Sequence, residues 1–153
     1  MSLVGFVLAA GSGALATGCT IQADMVEDSI KDELKKKDVE VDKITCPKGE
    51  KIKDGATFEC KGTSDQGDDF VVKVKQTDSK GSIKWDLEGR IVDPEEFADD
   101  AKKNLGFKVD CGKKKFIAVK GTKMKCKADG KTATVTFKDD EGKIDASELE
   151  ALR

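Results

Sequence analysis

KDGATFECKGTSDQGDDFVVKVKQTDSKGSIKWDLEG, residues 53–89, decides the fold. Within it Phe70, Val72 and Val74 alternate with Val71, Lys73 and Lys75, and Ile83, Trp85 and Leu87 alternate with Ser82, Lys84 and Asp86. A period of two gives a sheet one apolar face and one solvated face. Between the two runs, Thr77-Asp78-Ser79-Lys80-Gly81 has the composition of a tight hairpin turn with glycine near the left-handed position. The strands are therefore read as antiparallel, and no crossover helix is present that would allow a parallel pair.

A sheet with one apolar face needs a cover. Ile21, Met25, Val26, Ile30 and Leu34 recur at helical spacing among charged residues and predict an amphipathic helix ahead of the sheet. Further along, Asp93-Pro94-Glu95-Glu96 combines an N-cap Asp, a first-turn Pro and a Glu three residues after the cap. Phe97, Ala101 and Leu105 then form an apolar stripe, and Gly106 is a natural stop.

The second helix introduces a second version of the first pattern. Aligning Cys60 with Cys126 also aligns Gly55 with Gly121, Phe58 with Met124, and, after a loop five residues shorter, Val72, Val74, Gly81 and Ile83 with Ala133, Val135, Gly142 and Ile144. Cys46 and Cys111 precede their partners by fourteen and fifteen residues. The chain is read as α+β: two tandem units, each an N-terminal helix packed on a small antiparallel sheet of about four strands, with one disulfide per unit. The boundaries are 1–21 for a leader and short linker, 22–89 for the first unit and 90–153 for the second, with Glu88 to Asp93 as the junction.

Composition agrees with small stapled units. The 153 residues are 38% charged, 37% hydrophobic and only 5% aromatic, and roughly 65 residues per unit is near the size at which a hydrophobic core alone becomes marginal. Net charge is −2 with both signs interspersed, which gives no basic face of the size nucleic acid needs. Four of the five cysteines allow three connectivities, and the duplication favours Cys46 with Cys60 and Cys111 with Cys126. Zinc is the competing use of four cysteines, but there is no C-x₂₋₄-C knuckle and no histidine in the chain.

The fifth cysteine has a different setting. Leu3 to Ala10 (LVGFVLAA) is a short apolar run, followed by small residues and then Cys19, the order of a secretory signal and its cleavage region. Ala16-Thr17-Gly18-Cys19 resembles a bacterial lipobox, with Ala16 where Leu is usual and no Lys or Arg ahead of the run. Cys19 is the expected lipidation site and the membrane the expected first partner, with a plainly secreted form as the alternative.

Cys46-Pro47, then Lys53-Asp54-Gly55-Ala56-Thr57-Phe58-Glu59-Cys60, then Val71-Val72-Lys73-Val74 and Gly81-Ser82-Ile83-Lys84-Trp85, resembles the bacterial lipoprotein domain of unknown function DUF4333. The likeness is looser over Cys111 to Ile144. It implies an extracytoplasmic module with a disulfide in each unit, and it brings no catalytic residues. The plan of helix-plus-sheet units in tandem is also similar to that of secreted β-lactamase inhibitory proteins, an analogy of architecture alone.

The remaining chemistry is sparse. With no histidine and the cysteines accounted for, no nucleophile and base can be assembled, so neither enzyme activity nor a cofactor is expected. Asp139 to Glu148 imitates the later part of a calcium loop, but its first ligand position would be Phe137, and the duplication makes it a hairpin; no metal site is expected. Trp85 is in phase with Ile83 and Leu87 and reads as core. Lys35-Lys36-Lys37 and Lys113-Lys114-Lys115 read as solvated runs that an anionic surface would also suit. The loop Gly62 to Asp69, with Asp65, Asp68, Asp69 and the adjoining Phe70, is the one candidate for partner contacts. The expected function is a non-enzymatic envelope lipoprotein that binds an envelope or extracellular protein or a cell-surface component. The alternative is a secreted inhibitor of an extracellular enzyme.

Overall fold

The computed structural model describes the backbone of residues 3–5 and the whole of residues 19–153. The lipobox residues Ala16, Thr17 and Gly18 and most of the apolar run lie outside the described residues. The elements are β1 (Leu3–Gly5), α1 (Ala23–Lys35), β2 (Val41–Thr45), β3 (Thr57–Ser64), β4 (Asp69–Gln76), β5 (Ile83–Glu88), β6 (Arg90–Val92), α2 (Pro94–Leu105), β7 (Phe116–Ala118), β8 (Lys123–Ala128), β9 (Lys131–Thr136) and α3 (Ala146–Glu150).

The first helix is followed by a four-strand antiparallel sheet, β5-β4-β3-β2, as its alternation predicts, and β1 adds a fifth strand outside β5. Val26, Ile30 and Leu34 of α1 are fully buried against Phe58, Val72, Val74 and Trp85 of the sheet. Each such side chain contributes about 1.5–3 kcal/mol, enough to hold a helix whose N-cap residue, Gln22, makes no side-chain cap. Trp85 is core, as its phase indicates. The β1 pairing, Leu3 with Trp85 and Gly5 with Ile83, falls inside the segment read as a leader, where an apolar run gives no alternation to signal a strand.

Gln76 is a fully buried polar residue at the end of β4. Its Oε1 accepts from the Lys53 N–H at 2.7 Å and its Nε2 donates to the Lys51 carbonyl at 2.9 Å, which stitches the loop before β3 to the sheet. The Cys46–Cys60 bridge closes the same region, and Cys111–Cys126 closes its counterpart in the second half. Both disulfides have the expected pairing.

The second half departs from the four-strand expectation. Its sheets are two separate pairs, β6-β7 and β8-β9, with single bridges at Asp110–Lys127 and Phe137–Ile144 where flanking strands were expected. Gly106 ends α2 in the left-handed conformation only five residues before Cys111, leaving little chain for a strand. On the other side, Asp145 accepts from the Ser147 N–H and starts α3 directly after Ile144. The C-terminal segment is thus a short helix and a closing turn, which bury Leu149 and Leu152 respectively. The junction is also structured, since β6 pairs with β7, and Ile117 of β7 packs into the first hydrophobic cluster. At Gly89, φ is +124° and an added Cβ would sit 2.9 Å from the Ala118 carbonyl oxygen, so glycine is required where β5 gives way to β6.

Several hydrogen bonds nevertheless recur in the two halves. Gly55 N–H donates to Gln76 O and Gln76 N–H to Ala56 O (2.9 and 2.8 Å), as Gly121 N–H does to Phe137 O and Phe137 N–H to Thr122 O (2.7 and 2.9 Å). Asp78 Oδ1 accepts from Lys80 and Ser82 N–H (2.8 and 3.0 Å), and Asp139 Oδ1 from Glu141 and Lys143 N–H (both 3.0 Å). Asp78 is held below the usual carboxylate range by the Ser82 hydroxyl and these N–H groups, and Asp139 chiefly by the Lys143 N–H.

Candidate functional site

Three of the four candidate contacts at the loop between β3 and β4, Asp65, Asp69 and Phe70, are paired or buried. Ser64 is buried; its N–H donates to the Asp68 carbonyl and its Oγ accepts from the Asp68 N–H, closing the loop on itself. Asp69 accepts from the Thr63 hydroxyl at 3.1 Å. Asp65 Oδ2 lies 2.8 Å from Lys114 Nζ. Phe70, expected as a partner contact, is only 3% exposed. It lies opposite Gly62, and a Cβ at Gly62 would be 2.1 Å from the ring's Cζ. The alternation that puts Phe70 in phase with Val72 and Val74 is what turns it inward.

Lys35, from the first lysine run, and Lys113 to Lys115 line an open depression of about 610 Å³, together with Glu40 and Asp93 from the two halves. Lys114 bridges Asp65 and Glu40, whose hydrogen bonds hold its ammonium above the ordinary lysine range. Lys115 pairs with Asp93 at 3.4 Å, and Val39 and Lys115 form a parallel backbone bridge. Partial desolvation pushes the Asp93 carboxyl up, but the N–H groups of Glu95 and Glu96 and the Lys115 charge outweigh it, so Asp93 is held low. Lys114 and Lys115 are thus engaged in joining the halves.

The solvated faces of the two sheets differ in kind. On the first, Lys43, Lys61, Lys73, Lys75 and Lys84 are interspersed with Glu59, Asp69, Asp86 and Glu88, and Lys73 pairs with Glu88 at 3.5 Å. On β8-β9, Lys123, Lys125 and Lys127 stand opposite Thr136, Thr134 and Thr132, with no acid on the two strands. None of these three lysines forms an ion pair among the described residues.

Cys19 is a free, exposed thiol. Its carbonyl accepts from the Ile52 N–H at 2.9 Å, Thr20 bridges Lys51, and Ile21 N–H donates to Glu50 O at 2.8 Å. No helix among the described residues is long and apolar enough to cross a membrane. Two disulfides of this kind persist in oxidising compartments and are consistent with an extracytoplasmic protein.

A family model, Domain of unknown function (DUF4333), matches residues 2–81. The chain belongs to this family. The match on this DUF4333 chain takes in Cys19, α1, the Cys46–Cys60 bridge and the strands up to the Asp78 turn. The second half lies beyond it. The DUF4333 chain matches no curated protein and no solved structure. The feature that sequence reasoning missed is the lysine–threonine face. Its signal was present, since Lys-x-Lys-x-Lys over 123–127 and Thr-x-Thr-x-Thr over 132–136 are period-two patterns read only for their apolar residues.

Proposed function

We propose that this chain is the body of a non-enzymatic extracytoplasmic lipoprotein, anchored through Cys19, that binds a cell-surface component or an envelope protein. The carrying observation is the combination at one end of the molecule. An exposed, unpaired cysteine follows an apolar run and opens the folded body, while the other four cysteines are locked in disulfides. Two or more acyl chains at that sulfur would give stable anchoring. The recurring Gly–strand bonds and Asp-capped turns support the reading of 22–89 and 90–153 as a tandem duplication whose second copy has lost strand length. Of the anchors proposed for the inhibitor alternative, Phe70 is buried and Asp65 is engaged by Lys114, which favours the anchored-module reading.

Cleavage ahead of Cys19 would also remove β1 and uncover the outer edge of β5. The test is intact-mass spectrometry of membrane-fraction protein expressed from its native reading frame, before and after reduction. A diacylglyceryl-sized increment on a chain beginning at Cys19, with four protons gained on reduction, is expected. A soluble, unlipidated chain retaining residues 1–18 would overturn the proposal.

A further inference from the structure

We infer that the solvated face of β8-β9 is a docking surface for a linear phosphate polymer laid along β8. The inference deepens the cell-surface reading above by naming the partner's chemistry. Between Lys108 and Lys138 the chain carries ten lysines and two aspartates, in a protein whose net charge is −2. The acids of the second half are concentrated in the segments on either side, Asp93 to Asp100 and Asp139 to Glu150. Three of the ten lysines, Lys114, Lys115 and Lys138, are ion-paired; the hairpin itself, Lys123 to Thr136, carries four lysines and one aspartate, Asp129 at its turn, whereas the equivalent face of the first sheet is mixed.

The geometry suits a chain. Lys123, Lys125 and Lys127 project from alternate positions of one strand, so neighbouring ammonium groups are spaced at roughly 6.7 Å along a row of about 13 Å. Each has a threonine directly across, Thr136, Thr134 or Thr132, whose hydroxyl can donate to a phosphate oxygen held by the lysine. The row is narrow and bounded. Asp110 lies beyond the outer edge of β8, bridged to Lys127, and Glu148 lies at the outer edge of β9, accepting from the Thr136 N–H at 2.7 Å. The two carboxylates mark opposite ends of the hairpin, Asp110 beside Lys127 and Glu148 beside Thr136, so a planar anionic membrane would meet them along with the lysines, whereas a flexible single chain can follow the lysine row past them.

The probe is fluorescently labelled inorganic polyphosphate, titrated with the purified full chain at 50 and 200 mM salt. Three phosphate contacts give a log–log salt slope of about −2, so binding should weaken roughly twentyfold over that range. The triple variant Lys123→Gln/Lys125→Gln/Lys127→Gln should bind on the order of a hundredfold more weakly at 50 mM and lose the salt dependence. A control triple on the first sheet, Lys43→Gln/Lys61→Gln/Lys75→Gln, should bind as the parent does, and unchanged far-ultraviolet circular dichroism and melting temperature in both variants report an intact fold. No binding by the parent, an equal loss in the control triple, or tighter capture by anionic vesicles at equal phosphate would each overturn the inference. Absent binding by a chain shown to be lipidated at Cys19 removes this partner and leaves the anchored-module reading. Binding by a chain that is never lipidated does the reverse.

Discussion

Replacing Gly62 by Ala should destabilise the first sheet through one neighbour, Phe70. The new Cβ would lie 2.1 Å from Cζ and 2.3 Å from Cε2 of a ring that is 3% exposed, so the ring must move by more than 1 Å in a packed core. Over-packing of this kind costs about 1–3 kcal/mol, and partial ejection of the ring adds a share of its burial energy, for a total of about 2–4 kcal/mol. Phe70→Ala alone should cost about 3–5 kcal/mol. With the ring gone, however, Gly62→Ala meets open space and should be neutral or stabilising by about 0.5–1 kcal/mol, the usual advantage of Ala over Gly inside a strand. The double variant is therefore expected to be more stable than the sum of the singles by about 2–5 kcal/mol. Urea denaturation followed by Trp85 fluorescence measures all four proteins, since Trp85 is the only tryptophan and lies in the same core. Additive effects, or a Phe70→Ala loss below about 1 kcal/mol, would refute the inward ring and restore Phe70 as a surface anchor.

Removing the Cys111–Cys126 bridge by double serine substitution should cost on the order of 3 kcal/mol, read as a fall of about 6–12 °C in melting temperature, and Cys46–Cys60 should behave alike because its loop differs by one residue. Gln76→Ala orphans the Lys53 N–H and the Lys51 carbonyl, so a loss of about 2–4 kcal/mol and accelerated exchange of the Lys53 amide are expected. Asp139 has a folded pKa below its unfolded value, so its stabilisation is complete above about pH 4 and is lost as pH falls through the folded value. The gap in urea midpoint between the parent and Asp139→Asn should accordingly be present at pH 6 and shrink on acidification towards pH 2; a gap constant over that range would count against the turn cap.

Periodicity carried the parts of the fold that have it. The stripe of α1, the alternation of β4 and β5 and the capping signal at Asp93 are all local, and each appears where the residues placed it. What escaped has no period. Arg90-Ile91-Val92 and Phe116-Ile117-Ala118 are three-residue strands defined only by pairing with each other, and Leu3 to Gly5 owes its assignment to β5. In α3, Asp145 followed by Glu148 is a legible cap pattern, but alignment with the first unit assigns the segment to a hairpin instead. Phe70 shows the reverse: its phase was the better guide than its place beside an acidic loop. The lysines of β8 were counted as charge, and only the paired register with β9 makes them a row.

The backbone bond from Ile52 to the Cys19 carbonyl, with Thr20 laid on Lys51, leaves no slack between that cysteine and the loop that Gln76 stitches to the sheet. Any group carried on the Cys19 sulfur is mounted on the body as a peg is set in a board, with none of the swing a disordered leash would allow. Orientation at a surface would then be a property of the fold, and lengthening the chain between Cys19 and α1 would be the way to abolish it.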